Sequence, residues 1–156
     1  MNLLKTPLCN LLGIDLPVVQ APIGSAGTPE LAAAVANAGG LGMLGLTWTN
    51  ADAVRGRIRR TKELTGRAFG VNLALAFPVR EQLAASLGEG VRVISTCWGD
   101  PRIVNDEVHA AGALHLHTVG SAMEARRAVE AAACEARTRG VRVYLEGRVG
   151  GGGEGL

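Results

Sequence analysis

Aromatic residues make up only 3% of this 156-residue chain, and lysine is nearly absent, with Lys5 and Lys62 the two examples. Scarce aromatics leave the basic residues, almost all arginines spread along the chain, without the stacking partners of a nucleic-acid binder. A formal net charge of +2 points the same way. No Gly-rich loop ends in a Walker lysine, and no GxSxG occurs to make a nucleophile elbow. The three cysteines, Cys9, Cys97 and Cys134, lie far apart with no CxxC, which suggests reduced thiols in a cytoplasmic protein. No apolar run reaches the roughly 18 residues that span a bilayer. The first residues, broken by Pro7, make a poor signal peptide.

What is present is aliphatic and small. Apolar residues reach 47%, so alanine-rich helices packed on Val, Leu and Ile strands must build the core. The chain alternates accordingly. Strand-like runs read at LPVVQAP, LGMLGL, AFGVNLAL, VRVISTCWG, ALHLHTVG and VRVYLEG. Between them lie five helical stretches whose starts are marked by Thr28 with Pro29, Asn50, Pro78, Asp100 with Pro101, and Ser121. Six strands and five helices joined by short turns imply right-handed βαβ units and a parallel sheet. An open doubly wound sheet and a (β/α)8 barrel both fit that order. A barrel takes about 200–250 residues, so length alone favours the open sheet.

Two stretches match GxGxxG. Gly40, Gly42 and Gly45 follow a helix and lie in a strand, the reverse of a dinucleotide fingerprint. Their expected role is to end a helix and let a strand pack closely. Gly150, Gly152 and Gly155 follow a strand, but no helix N-terminus follows them to hold an anion.

In parallel α/β folds ligands bind at the carboxyl ends of the strands. The first such end reads QAPIGSAGTPE, a small-residue loop that leaves backbone open to a planar ring. Asn72 sits between apolar neighbours in GVNL, where its amide needs partners: a neighbouring strand or a ligand. Ser95, Thr96 and Trp98 lie near the fourth strand's mouth. His115 and His117 share one face of the fifth strand, either as satisfied interior histidines or in a site; no matching carboxylate or cysteine supports a metal.

The linked run TPLCNLLGIDLPVVQAPIGSAGTPELAAAVANAGGLGMLG, with FGVNLAL, VISTCWGDP and AGALHLHTVGSAMEARRAVEA, resembles the nitronate monooxygenase family, once called 2-nitropropane dioxygenases. The resemblance covers roughly residues 6–132. It implies an FMN-binding TIM barrel that oxidises alkyl nitronates with molecular oxygen to a carbonyl compound and nitrite, without a metal. It also implies that Ile23, where the family usually has Met, lies against the isoalloxazine and that Asn72 hydrogen-bonds FMN. The expected fold thereby becomes an incomplete barrel. Residues 1–133 form its N-terminal part, and 134–156 a divergent, strand-like and Gly-rich tail.

That tail departs from the family pattern. Where the family carries a flavin-contacting Gln and a catalytic His after paired glycines, this chain reads RTRGVRVYLEGRVGGGGEGL, with Glu154 or glycine in place of His. No catalytic residue is carried over, and turnover is expected to be impaired. A reading-frame change near residue 134 in a G/C-rich gene is one account of the tail, a shortened paralogue the other. Two alternatives to nitronate oxidation remain: a flavin-type enoyl-ACP reductase-like barrel, and a non-catalytic barrel fragment.

Overall fold

The structure is a computed structural model that describes residues 4–135 and 145–147. It begins with a helix, α1 (Pro7–Leu12), absent from the sequence-based reading because Pro7 is read there as a breaker. Proline instead occupies the first helical position, where its missing N–H costs no hydrogen bond and its fixed φ suits the helix. Gly13 ends α1 in the left-handed region at φ 70°.

The expected first strand is reduced to one bridge. Leu41 N–H donates to Val18 O at 2.8 Å, and Gln20 N–H donates to Leu41 O at 2.9 Å. Pro17 and Pro22 lack the N–H groups that would extend the ladder. The Gln20 side chain takes over where the backbone leaves: its Nε2 donates to Met43 O at 3.2 Å and its Oε1 accepts from Met43 N at 3.3 Å. The six-strand, five-helix expectation is therefore corrected, among the described residues, to five strands with a bridge beside them and six α-helices.

The strands are β1 (Gly42–Gly45), β2 (Phe69–Ala74), β3 (Val93–Cys97), β4 (Leu114–Val119) and β5 (Leu145–Gly147). All pair in parallel in the order β1-β2-β3-β4-β5. The helices between and after them are α2 (Pro29–Asn37), α3 (Ala51–Leu64), α4 (Arg80–Gly88), α5 (Arg102–Ala110) and α6 (Ala122–Glu135). Thr28 Oγ1 accepts from Leu31 N, and Asn50 Oδ1 accepts from Ala53 N, as their cap positions predict. Ser121 Oγ likewise accepts from Glu124 N.

The unbroken strand order decides between the two candidate sheets. A doubly wound sheet reverses order to put helices on both faces. Here each crossover adds the next strand on the same side. One core joins Ala32 of α2, Val54 and Ile58 of α3, Leu83 of α4 and Val104 and Val108 of α5 to Leu44, Val71, Leu73 and Ile94 of the sheet. The opposite face carries a second cluster, in which Cys9 and Leu12 of α1 with Ile14 meet Met43 and Val93, with Leu114 and Leu116 packed against them. Helices outside, a sequential parallel sheet and a short helix over the inner face make this part of a TIM barrel.

The glycines of β1 explain how closely these layers meet. A Cβ on Gly42 would lie 1.9 Å from the Ala32 carbonyl oxygen in α2, and one on Gly45 would lie 3.3 Å from Gly24 N. Gly40-Leu-Gly42-Met-Leu-Gly45 thus serves close packing. Gly150, Gly152 and Gly155, with Glu154, lie outside the described residues.

Candidate functional site

Along the inner face, side chains change from apolar to polar toward the carboxyl ends of the strands. Met43, Val93 and Leu114 lie at the end near α1. Beyond them, strand register puts Asn72 of β2 beside Ser95 of β3, with Gly45 of β1 on one side and Leu116 of β4 on the other. Both polar residues are buried. Asn72 Nδ2 donates to Ser95 Oγ at 3.1 Å. Its Oδ1 faces the Cys97 thiol at 4.0 Å, a weak donor at long range. The carboxamide is thus oriented by one firm hydrogen bond and keeps acceptor capacity on Oδ1.

Ile23 lies at the same end. It is exposed and begins a single 3-10 turn, Gly24–Ala26. Gly24 sits at φ 37° with nothing within 4 Å of a Cβ built on it. Its neighbour Gly27 approaches Met43 O instead, at 3.2 Å for a built Cβ. The loop is pinned to β1 on one side and open at Gly24 on the other. A planar group could approach that backbone without meeting a side chain. The residues present therefore suit a flavin ring: an exposed apolar side chain, an open glycine and a buried amide acceptor converge at one end of the sheet.

His115 and His117 fall on the opposite, helix-facing side, and so does Thr96, which the sequence alone had placed at the mouth. The period of two decides this: Ser95 and Thr96 are consecutive and must point to opposite faces. Thr96 Oγ1 lies 2.8 Å from His115 Nε2 and 2.7 Å from His117 Nδ1, and His115 Nδ1 lies 2.7 Å from Asn105 Oδ1 of α5. With the Asn105 oxygen accepting, His115 donates from Nδ1 and accepts the Thr96 proton on Nε2, while the Thr96 oxygen accepts from His117 Nδ1. Burial pushes His115 down to about 3, helped by His117 and His109. Burial also lowers His117, opposed by Glu124, Asp100 and the Gly99 carbonyl. These are satisfied histidines that tie β3, β4 and α5 together. Among the described residues no group of three or more His, Cys, Asp or Glu is arranged to hold a metal, and no helix is long and apolar enough to cross a membrane.

The comparisons with known proteins complete the picture. Residues 5–81 match the sequence model of the nitronate monooxygenase family. Over this N-terminal portion the chain is similar to that family. The nitronate monooxygenase of Paraburkholderia phytofirmans is 49% identical over 80 residues, which are 51% of this chain and 22% of that protein. The (3aS,4S,5R,7aS)-5-hydroxy-7a-methyl-1-oxo-octahydro-1H-indene-4-carboxyl-CoA dehydrogenase of Mycobacterium tuberculosis is 36% identical over 125 residues, 80% of this chain and 35% of that protein. Among solved structures, the nitroalkane oxidase of Streptomyces ansochromogenes superposes with a TM-score of 0.73 at 32% identity, over 81% of this chain and 46% of that chain. The chain spans about a fifth to a third of the length of the curated relatives it matches. Nitronate monooxygenases are flavin-dependent oxidoreductases, and both Ile23 and Asn72 fall inside the matched segment.

Sequence reasoning singled out Asn72 and the Ile23 loop, both of which the structure puts at the carboxyl ends of the strands. It missed that Ser95 orients Asn72, a pairing that only strand register reveals. It also missed Trp48 and Phe77, which follow β1 and β2 and meet edge to face at 5.4 Å. The signal was available: an aromatic just past a strand's carboxyl end, in a chain with few aromatics.

Proposed function

We propose that Ile23 and Asn72 hold FMN at the carboxyl ends of the strands, in a protein that oxidises alkyl nitronates with molecular oxygen to a carbonyl compound and nitrite. The observation that carries this reading is the buried Asn72, fixed by Ser95 at 3.1 Å with an Oδ1 that meets only the weak Cys97 thiol donor at 4.0 Å, at the same end as the open Ile23–Gly24 backbone. Bound flavin would supply the redox chemistry that oxidation of a nitronate by oxygen requires. The chain's own contribution is positioning. Ser95 sets the carboxamide so that Oδ1 accepts from an imide-type N–H, and Ile23 offers an apolar surface to the ring. Strands β2 and β3 hold Asn72 and Ser95 on rigid elements, and α1 packs over the other end of the inner face.

The family match and the 49% identical relative support nitronate as the substrate class. No histidine stands in GRVGGGGEGL, so the 156-residue polypeptide is proposed to turn over little, least of all with neutral nitroalkanes, whose carbon must first lose a proton to give the nitronate. The second reading is a flavin barrel acting on an acyl thioester. It draws on the dehydrogenase relative named for a carboxyl-CoA substrate, which aligns over more of the chain.

Flavin titration of the purified chain, followed by visible absorbance and compared with N72A and S95A, tests the site. Asn72→Ala should weaken FMN binding about tenfold, the worth of a buried hydrogen bond to a neutral partner plus its lost orientation, and Ser95→Ala by less. Equal FMN affinity in all three proteins overturns the assignment. Stoichiometric FMN retention with brisk consumption of propionate 3-nitronate overturns the proposed impairment. NADH oxidation dependent on an enoyl thioester favours the second reading.

A further inference from the structure

The chain has five aromatic residues, two Phe, two Trp and one Tyr. Three of them follow three consecutive strands at their carboxyl ends: Trp48 after β1, Phe77 after β2 and Trp98 after β3. All three are exposed, at 67%, 41% and 56%. A large apolar ring left in water forfeits the burial that otherwise makes it a core residue, and the remaining phenylalanine, Phe69, is buried in β2.

The rim is also built. Trp48 and Phe77 meet at 5.4 Å with an interplanar angle of 71°. The Trp48 loop is tied down twice: Ala74 N donates to Thr47 Oγ1 at 2.9 Å, and Gln82 Nε2 of α4 donates to Thr49 O at 3.0 Å. Trp98 takes φ 55°, and is the sole non-glycine residue with positive φ among the described residues. Backbone strain of this kind persists where surrounding structure enforces it and gathers at functional sites. The next residue, Gly99, packs so closely on Leu75 that a Cβ would fall 2.7 Å from the Leu75 Cβ, which places the Trp98 turn against the segment leading to Phe77.

We propose that Trp48, Phe77 and Trp98 form an aromatic subsite for the apolar substituent of the substrate, so that aryl and long alkyl nitronates bind in preference to short ones. This rests on the nitronate reading of the same site. The occupant is a small molecule because the three rings belong to the strand ends that carry Asn72 and the Ile23 loop. Ring–ring contact then adds to the binding of the polar nitronate head.

Isothermal titration calorimetry on the full chain in excess FMN, with the anions of nitroethane, nitrohexane and phenylnitromethane, tests it. The phenylnitromethane anion should bind about tenfold more tightly than the nitroethane anion, as one good aromatic pair allows, with nitrohexane between them. Trp48→Leu and Phe77→Leu, both at exposed positions, should each cut that preference to about threefold or less. Equal affinities overturn the proposal. So does a preference that both variants retain, or an absence of binding by any of the three anions, the outcome if a polypeptide segment covers the rim. The flavin titration separates the two readings. Asn72-dependent FMN binding without aryl preference removes the subsite alone. Aryl preference with FMN binding indifferent to Asn72 removes the flavin assignment and leaves the rim.

Discussion

Replacing Gly42 with alanine adds one methyl group at the tightest contact between helix and sheet. The new Cβ would stand 1.9 Å from Ala32 O, 2.6 Å from Ala32 C and 2.7 Å from Ala32 Cα. All three are backbone atoms of α2, so no rotamer change relieves the clash. Either α2 lifts from β1 or the strand shifts against its partner Phe69, and both movements disturb the core around Ala32, Leu44 and Phe69. Overpacking against mobile side chains costs typically about 1–3 kcal/mol. A rigid backbone partner puts G42A at the upper end, about 3 kcal/mol or more. The internal control is Gly56→Ala in the middle of α3, where nothing lies within 4 Å of the added Cβ. The same chemical change there should stabilise by roughly 0.5–1 kcal/mol, because alanine loses less backbone entropy in a helix. Urea unfolding followed by circular dichroism at fixed pH measures both. A G42A midpoint indistinguishable from wild type, with the m-value unchanged, would refute the claim that these glycines exist for close packing.

Acid should weaken the fold through His115. Its folded value of about 3 lies below the ordinary 6.5, so between these pH values the unfolded chain binds a proton that the folded chain refuses. Stability attributable to His115 is complete above pH 6.5 and falls as pH drops toward 3, with a slope approaching about 1.4 kcal/mol per unit. His115→Gln should flatten that limb in denaturation curves taken across the range; an unchanged slope contradicts the assignment. Thr96→Val leaves His115 Nε2 and His117 Nδ1 without their shared partner, which should cost roughly 2–4 kcal/mol for two buried groups. Its urea midpoint should fall accordingly, whereas a loss below about 0.5 kcal/mol would mean that the triad carries no weight.

The βα rhythm was readable because each helix announces itself locally. Thr28, Asn50 and Ser121 accept the backbone N–H bonds expected of cap residues, and the strands are short aliphatic runs bounded by glycine. The first strand misled because an apolar run does not record its missing donors: Pro17 and Pro22 leave room for a bridge, and Gln20 completes the pairing through its side chain. Helix α1 was hidden by Pro7, whose meaning depends on whether it opens a helix or interrupts one. Asn72 could be singled out because a polar residue in a buried run demands a partner, but its neighbour in sequence space carried no sign of the answer. Ser95 lies 23 positions away, and only register brings the two together.

Ser95 and Thr96 show why the site required the fold. They are adjacent hydroxyl residues near one strand end, chemically almost interchangeable, and both fall where a sequence reader looks for ligand contacts. The pleat separates them. Ser95 turns to the inner face, where β2 offers Asn72 and the strand ends remain open. Thr96 turns to the helix side, where α5 and β4 supply Asn105, His115 and His117 and close the network. The imidazoles attract attention as chemistry, yet their polar contacts with Thr96 and Asn105 hold the sheet to its helix layer. The unremarkable serine orients a buried amide whose oxygen meets only the weak Cys97 thiol donor. Chemical capacity here follows from which face of a parallel strand remains uncovered at its carboxyl end, and residue type ranks second to that placement.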